Sequence, residues 1–223
     1  MKIYFLWTGG WDSTFRIIQL YNQNLTIQPI YIIDPSRKSN KKEIETINLL
    51  SELIPSKFEN SKGKILPLEL INRNDIKKDY FVKIIFQLLR KFNKKKLGKQ
   101  YYWIACLSRE RKISLELCFH KKNREMLIPL DEIMEIRDET GEINWIVNPK
   151  KMKFFKRQIF KNMRFPLMYI SKVEMKDFAE KNNFLDIMNK TWFCHRSEKH
   201  PCGKCAPCKQ YIIDGFEDRV KLK

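Results

Sequence analysis

Apolar residues cluster along this chain in short blocks that alternate between two periods. Residues 2–7 form an apolar run rich in β-formers, the pattern of a buried strand. Gly9-Gly10 breaks it, and Asp12 or Ser13 is placed to cap a helix reaching about Tyr21, with Phe15, Ile17, Ile18 and Tyr21 on its apolar side. Residues 26–33 repeat the strand pattern and end at Asp34-Pro35. From Lys41 to Ile54 the period is helical, through Ile44, Ile47, Leu50 and Ile54. Residues 65–71 predict a third strand, Asp79–Lys91 and Tyr101–Arg109 two helices, and residues 113–119 a fourth strand. Such alternation predicts an α/β fold, a mostly parallel sheet sandwiched by helices.

The texture then changes. Residues 132–147 predict a hairpin around Glu139-Thr140-Gly141, and Lys151–Lys161 a basic, aromatic helix. Ser171 is placed to N-cap a helix over Lys172–Lys181, with Glu174 completing a capping box. A cysteine-rich segment and a short last helix close the chain. The expected organisation is an α/β domain over 1–150 and a C-terminal helical segment over 151–223.

With 223 residues, 43% of them hydrophobic and 13% aromatic, the chain is large enough to bury a core. Lys and Arg number 44 against 26 Asp and Glu, a net charge of +18. That balance has two readings: a polyanionic partner such as nucleic acid, or an AT-rich genome, which enriches Lys, Asn and Ile and depletes Gly. The basic residues are dispersed, in short clusters such as Lys94, Lys95, Lys96 and Lys99, or Lys150, Lys151 and Lys153, and the compositional reading is preferred. No segment has the apolar length to span a membrane, and the first apolar run is too short for a signal-peptide core. The expected setting is the cytoplasm, where clustered thiols point to a metal rather than disulfides.

Thr8-Gly9-Gly10-Trp11-Asp12-Ser13 lies between a strand and a helix. Glycines there let backbone N–H groups approach an anion, and the helix N-terminus adds donors and partial positive charge. Thr8 and Ser13 contribute hydroxyls. The loop suits a phosphate or pyrophosphate, yet lacks the Walker pattern. At the other end, Cys194, Cys202, Cys205 and Cys208 follow a C-x7-C-x2-C-x2-C spacing, with Gly203 permitting a tight knuckle. Four thiolates at this spacing suit a closed, structural tetrahedral Zn2+ site. An iron–sulfur cluster, substitution of one thiolate by His195 or His200, and redox-active thiols remain alternatives. Cys106 and Cys118 read as core residues, or as sulfur-carrying nucleophiles.

The Thr8–Ser13 loop resembles the S-G-G-x-D-S loop of the PP-loop ATP pyrophosphatases, with Thr8 in place of Ser. The Phe-Pro-Leu-Met-Tyr-Ile-Ser-Lys-Val-Glu-Met segment from Phe165, the later Lys-Thr-Trp-Phe-Cys-His and the Pro-Cys-Gly-Lys-Cys-Ala-Pro-Cys knuckle resemble the C-terminal part of the 7-cyano-7-deazaguanine synthase family. That resemblance implies an adenine nucleotide alpha hydrolase-like, Rossmann-like fold and a homodimer. It implies that ATP is held by Thr8, Gly9, Gly10, Asp12, Ser13 and Asp34, with Asp12 orienting the loop or lying near Mg2+. Asp12, Ser13 and Lys172 are the implied catalytic residues, Lys172 near the nucleotide phosphates. A lysine at a helix start opposes the helix dipole, so an anionic partner is expected for it.

The implied reaction is adenylation of a carboxylate, 7-carboxy-7-deazaguanine in the family, then attack by ammonia and a second ATP-driven dehydration to the nitrile. The middle of the chain departs from the family. Its G-x-N-x-x-D-x-S-G-Y-P-D-C-R-like stretch is replaced by Leu117-Cys118-Phe119-His120-Lys121-Lys122-Asn123-Arg124, and its R-N segment by Gly98-Lys99-Gln100-Tyr101-Tyr102. The substrate pocket therefore reads as rebuilt. A PP-loop RNA-modifying enzyme, such as a tRNA sulfurtransferase, and a non-enzymatic zinc-knuckle nucleic-acid-binding protein are the two competing readings.

Overall fold

The computed structural model describes residues 2–92, 97–118, 130–137, 141 and 143–221. Lys94, Lys95, Lys96, the His120–Arg124 stretch and the turn residues Glu139 and Thr140 lie outside them. In chain order the elements are β1 (Lys2–Leu6), α1 (Trp11–Asn22), β2 (Thr26–Ile33), α2 (Asn40–Lys57), β3 (Lys64–Ile65), β4 (Glu69–Asn72), α3 (Tyr80–Phe92) and α4 (Gln100–Arg111). There follow β5 (Leu115–Glu116), β6 (Ile133–Arg137), β7 (Ile143–Val147), α5 (Phe154–Phe160), β8 (Met163–Arg164), α6 (Lys172–Lys181), α7 (Leu185–Met188), α8 (Ala206–Ile213) and α9 (Asp218–Lys221). Packing divides the chain into two compact units: Met1–Asn72 with Ile170–Lys223, and Arg73–Tyr169. The motifs at the two chain ends thus share one unit, a grouping unlike the expected partition at residue 150.

In the first unit β1 pairs with β2 in parallel, from Lys2 opposite Thr26 to Leu6 opposite Ile30. Both β3 and β4 also run parallel to β2. The single strand expected over 65–71 is split because Pro67 has no N–H for the ladder; its carbonyl instead accepts from Gln28 Nε2 at 3.0 Å. Phe5, Ile27 and Ile30 from the strands, with Phe15, Ile17, Ile18 and Leu20 from α1, are fully buried in the core. On α2 the buried stripe reads Glu43, Thr46, Ile47, Leu50 and Ile54, while Ile44 is only half-buried. Ile47, Leu50 and Ile54 are buried as expected, but the face also takes in Glu43 and Thr46, so a carboxylate sits within it. The capping box forms as expected: Glu174 N donates to Ser171 Oγ at 3.2 Å, and Ser171 N donates to Glu174 Oε2 at 2.7 Å.

In the second unit β5 and β8 pair in parallel, and β6 and β7 form the expected antiparallel hairpin. The strand expected over 113–119 is regular only at Leu115–Glu116. Residues before it serve the end of α4: Lys112 takes a left-handed conformation (φ 54°), and Ile113 N bonds back to Ser108 O at 3.1 Å. The basic helix starts at Phe154 rather than Lys151, since Lys151 N and Met152 N both bond to Asn148 O in a turn. Asp79 Oδ1 caps α3, accepting from Val82 N at 3.0 Å.

Gly63 marks the tightest crossing in the first unit. A Cβ there would lie 2.2 Å from the Tyr21 carbonyl oxygen at the end of α1, a backbone atom with nowhere to go. Gly63→Ala is expected to destabilise the protein by about 2–3 kcal/mol, read as a lower urea midpoint at unchanged m-value. An unchanged midpoint would show that this crossing has slack.

Candidate active site and metal centre

The Gly-Gly loop leaves the carboxyl end of β1, the edge where open parallel sheets bind ligands. Trp7 N still donates to Ile30 O at 3.0 Å, holding the loop's start against β2. Below it, Trp7 Nε1 donates to Thr14 Oγ1 at 3.1 Å, a buried bond that fixes the turn into α1. Gly9 takes φ +66°, and a Cβ on it would press on Thr46 Cγ2 at 3.1 Å and Glu43 O at 3.3 Å. Glycine is therefore required at position 9 by backbone and by space.

Gly10 is the N-cap residue of α1, in extended conformation. Its carbonyl accepts from Thr14 N at 2.9 Å and from Ser13 Oγ at 3.1 Å. Neither Asp12 nor Ser13 caps the helix, contrary to expectation, because both already lie in its first turn. Thr8 is exposed beside them.

Asp12 is held by a residue 160 positions away. Lys172, at the start of α6, forms an ion pair with Asp12; its side chain is 8% exposed and that of Asp12 is 16% exposed. The anionic partner expected for this lysine is thus present within the protein. Lys172 Nζ also lies 5.3 Å from the centre of the buried Tyr211 ring. Burial acts to lower the Lys172 pKa, but the Asp12 carboxylate outweighs it, and the amine is held above its ordinary value. Close by, Trp192 N donates to Gly9 O at 2.9 Å, so the segment leading to the cysteines is bonded to the loop itself.

Sequence reading missed a buried network behind Gly9. Glu43 accepts from Ser39 Oγ at 2.6 Å and from Arg37 Nη1 at 3.0 Å, and lies 2.9 Å from the Tyr31 hydroxyl. Burial, then Glu43, pushes the Tyr31 pKa far up, so the phenol stays a donor. Asp34 sits at the same carboxyl edge: its Oδ1 accepts from Ser36 N at 3.0 Å and Ser36 Oγ at 2.7 Å, and its carbonyl from Asn40 Nδ2 at 2.7 Å. Its carboxylate thus serves a local turn. The available signal was Glu43 itself, a charge spaced four residues before Ile47 in an apolar stripe.

Arg219 was also missed. It donates to Thr191 O at 2.7 Å and faces the rings of Trp11, Phe193 and Tyr211 at 5.2–5.5 Å, pinning α9 against the first turn of α1.

The four candidate metal ligands converge. The Sγ atoms of Cys194, Cys202, Cys205 and Cys208 all lie within 4.8 Å of one another. Cys205 and Cys208 are 3.3 Å apart; Cys202–Cys208 and Cys205–Cys194 are each 4.0 Å apart. A tetrahedron with Zn–S bonds of about 2.3 Å has edges of ~3.8 Å, so the four sulfurs fit one ion. Cys202 N donates to Cys194 Sγ and Cys205 N to Cys202 Sγ, each at 3.3 Å, bonds suited to thiolate acceptors. Gly203 supplies the left-handed turn (φ +64°).

Burial opposes ionisation of Cys202, but the Lys204 and Cys205 N–H groups and neighbouring thiols outweigh it, bringing its pKa to about 6. Burial pushes Cys194 and Cys208 up. A bound cation reverses that preference and holds all four as thiolates. His195 and His200 are exposed and outside the cluster.

A Gly-Gly loop at the carboxyl end of parallel strands, bonded to a tail with four converging cysteines, marks an α/β protein with a candidate metal site. A family model described as "Queuosine biosynthesis protein QueC" matches residues 150–218, a stretch that contains Lys172 and all four cysteines. The chain is similar to that family over this stretch, in keeping with a PP-loop ATP pyrophosphatase of the QueC-like kind. No curated protein matches the chain significantly. Among the described residues no helix is long and apolar enough to cross a membrane.

Two outcomes are expected. Asp12→Ala strands a buried ammonium and costs about 3–5 kcal/mol; Asp12→Leu combined with Lys172→Met recovers much of the loss. A double variant no better than Asp12→Ala would remove the pair's central place. Because the Lys172 pKa is raised, its contribution is complete below the unfolded value of about 10.4 and is lost only as pH rises through the folded value. The Asp12→Ala penalty in urea denaturation should therefore stay constant from about pH 7 to 9. Separately, metal analysis should find one zinc per chain. Cys205→Ser should lose it and lower the Tm by roughly 6–12 °C, the equivalent of about 3 kcal/mol for a chain this size.

Proposed function

We propose that this chain is an ATP-dependent synthase of the 7-cyano-7-deazaguanine synthase type, adenylating a carboxylate for attack by ammonia. The observation that carries the reading is the Lys172–Asp12 ion pair together with the Trp192–Gly9 bond. Both tie the segment matched by the family model to a Gly-Gly loop that the model does not reach.

In this reading the backbone N–H groups at the start of α1, with Thr8, Gly9 and Gly10, hold the ATP phosphates. Asp12 keeps Lys172 at the loop, where its ammonium offsets the charge that develops at the α-phosphate, and Asp12 would be the residue to meet Mg2+. Ser13 closes the turn through Gly10, and Asp34 shapes the neighbouring rim. Adenylation joins a carboxylate oxygen to the α-phosphorus and releases pyrophosphate; ammonia then attacks the acyl carbon, and AMP leaves with that oxygen. Catalysis of this kind is positioning and charge stabilisation, with no covalent nucleophile on the protein. The zinc would be held by Cys194, Cys202, Cys205 and Cys208, and supplies a structural clamp. The setting is the cytoplasm, and the assembly a homodimer.

The sulfur-transfer reading would need Cys106 or the half-buried Cys118 as its thiol. Cys106 is buried, and burial raises its thiol pKa, the reverse of what a sulfur carrier needs.

The test is pyrophosphate release from ATP with ammonia and a panel of small acids, 7-carboxy-7-deazaguanine first. Acid-dependent release is expected, reduced at least 100-fold by Lys172→Met with zinc content intact. Release that needs tRNA instead, or none with any acid, would contradict the assignment.

A further inference from the structure

The positive charge of this protein is not spread evenly. Residues 73–169 hold 24 Lys and Arg against 11 Asp and Glu, a net +13 of the chain's +18. A compositional bias of the genome would load both units alike. The second unit also has an open cavity of about 580 Å³ on the side where β5 and β8 begin. Lys77, Lys78, Arg109, Lys112 and Lys161 line it, against two acids, Asp79 and Glu110. Asp79 is already committed to Arg109 Nε at 2.8 Å. The four lysines are exposed, and the described residues show no ion pair for them. Lys77 and Lys78 stand just before α3, where the helix dipole disfavours cations.

Four aromatic rings of this unit stand exposed. Tyr80 is 73% exposed, Phe81 47%, and Phe154 and Phe155 50% each. Arg109 connects them to the cavity: its guanidinium lies 5.9 Å from the Phe81 ring centre and reaches Gln158 on α5 at 3.5 Å. Phe154 and Gln158 on α5, with Lys161 as its C-cap, recur at i, i+4 and i+7, so one helix face runs from an exposed ring to the cavity wall. Exposed flat rings in one unit with lysines that form no ion pair among the described residues match a strand that is anionic along its backbone and offers a π-face at every base. An acidic protein surface would satisfy the lysines but leave four aromatic faces without a matching shape.

We propose that the second unit binds single-stranded nucleic acid, its phosphates at the lysine-lined cavity and its bases stacked on Phe81 and Phe154. The inference rests on a different unit from the ATP loop and does not depend on the adenylation reading.

The test is fluorescence anisotropy of the full-length protein, without ATP, using labelled single strands of about 12 nucleotides, oligo(U) and oligo(dT). The comparison ligands are a duplex of equal length, polyphosphate, and vesicles of phosphatidylcholine and phosphatidylserine. Micromolar or tighter binding of a single strand at 50 mM salt is expected, and preference between oligo(U) and oligo(dT) identifies RNA or DNA as the source. Lys77→Glu with Lys161→Glu should weaken it at least tenfold and reduce the salt slope by about 1.4, two contacts at about 0.7 each. Phe81→Ser with Phe154→Ser should weaken it at least tenfold at unchanged salt slope. Zinc content and melting temperature report that the variants fold. Absence of binding, equal binding of polyphosphate, tighter binding of duplex or vesicles, or indifference to the aromatic pair would each overturn the proposal.

Discussion

The ion pair between Lys172 and Asp12 is the constraint on which the first unit turns. Its members come from opposite ends of the chain and are mostly removed from water. Neither charge is tolerable there alone, because the cost of burying one ion exceeds what the surrounding packing returns. The first turn of α1 and the first turn of α6 must therefore arrive together, and with them the Gly-Gly loop and the capping box at Ser171. The Trp192–Gly9 bond, the Arg219 contacts to Trp11 and Thr191, and the cysteine cluster extend the same closure along the tail. The Gly-Gly loop is in this way tied to the segment that follows α6.

Much of this was legible in the sequence, for identifiable reasons. The strand–Gly-Gly–helix order, the Ser171–Glu174 box and the cysteine spacing are local, and local chemistry determines them. What escaped is nonlocal or set by one residue's backbone. Asp12 reads as a helix cap until a lysine 160 residues away claims its carboxylate. Glu43 lies in an apolar stripe that looks just as plausible centred on Ile44. Pro67 divides a run that is otherwise almost wholly apolar. Arg219 is an ordinary surface cation until three aromatic rings from separate segments meet it.

The grouping of the chain sharpens what its charge means. Lysines dispersed in short clusters along a sequence say little, since a solvated surface and a polyanion site look alike in one dimension. Once the chain is resolved into two packed units, most of the excess falls on residues 73–169, and five of their basic residues line one cavity. The first unit carries the motif-level chemistry, with only a small excess of charge. That separation fits a protein whose nucleotide chemistry and whose polyanion affinity are properties of different parts of the chain.

The most direct test of the central claim is isotope transfer. 7-Carboxy-7-deazaguanine labelled with oxygen-18 in its carboxylate would be turned over with ATP and ammonia, and the nucleotide products analysed by mass spectrometry. Adenylation at the Gly-Gly loop predicts AMP carrying one labelled oxygen and unlabelled pyrophosphate. Label in inorganic phosphate with ADP formation, or turnover that leaves AMP unlabelled, would contradict the account.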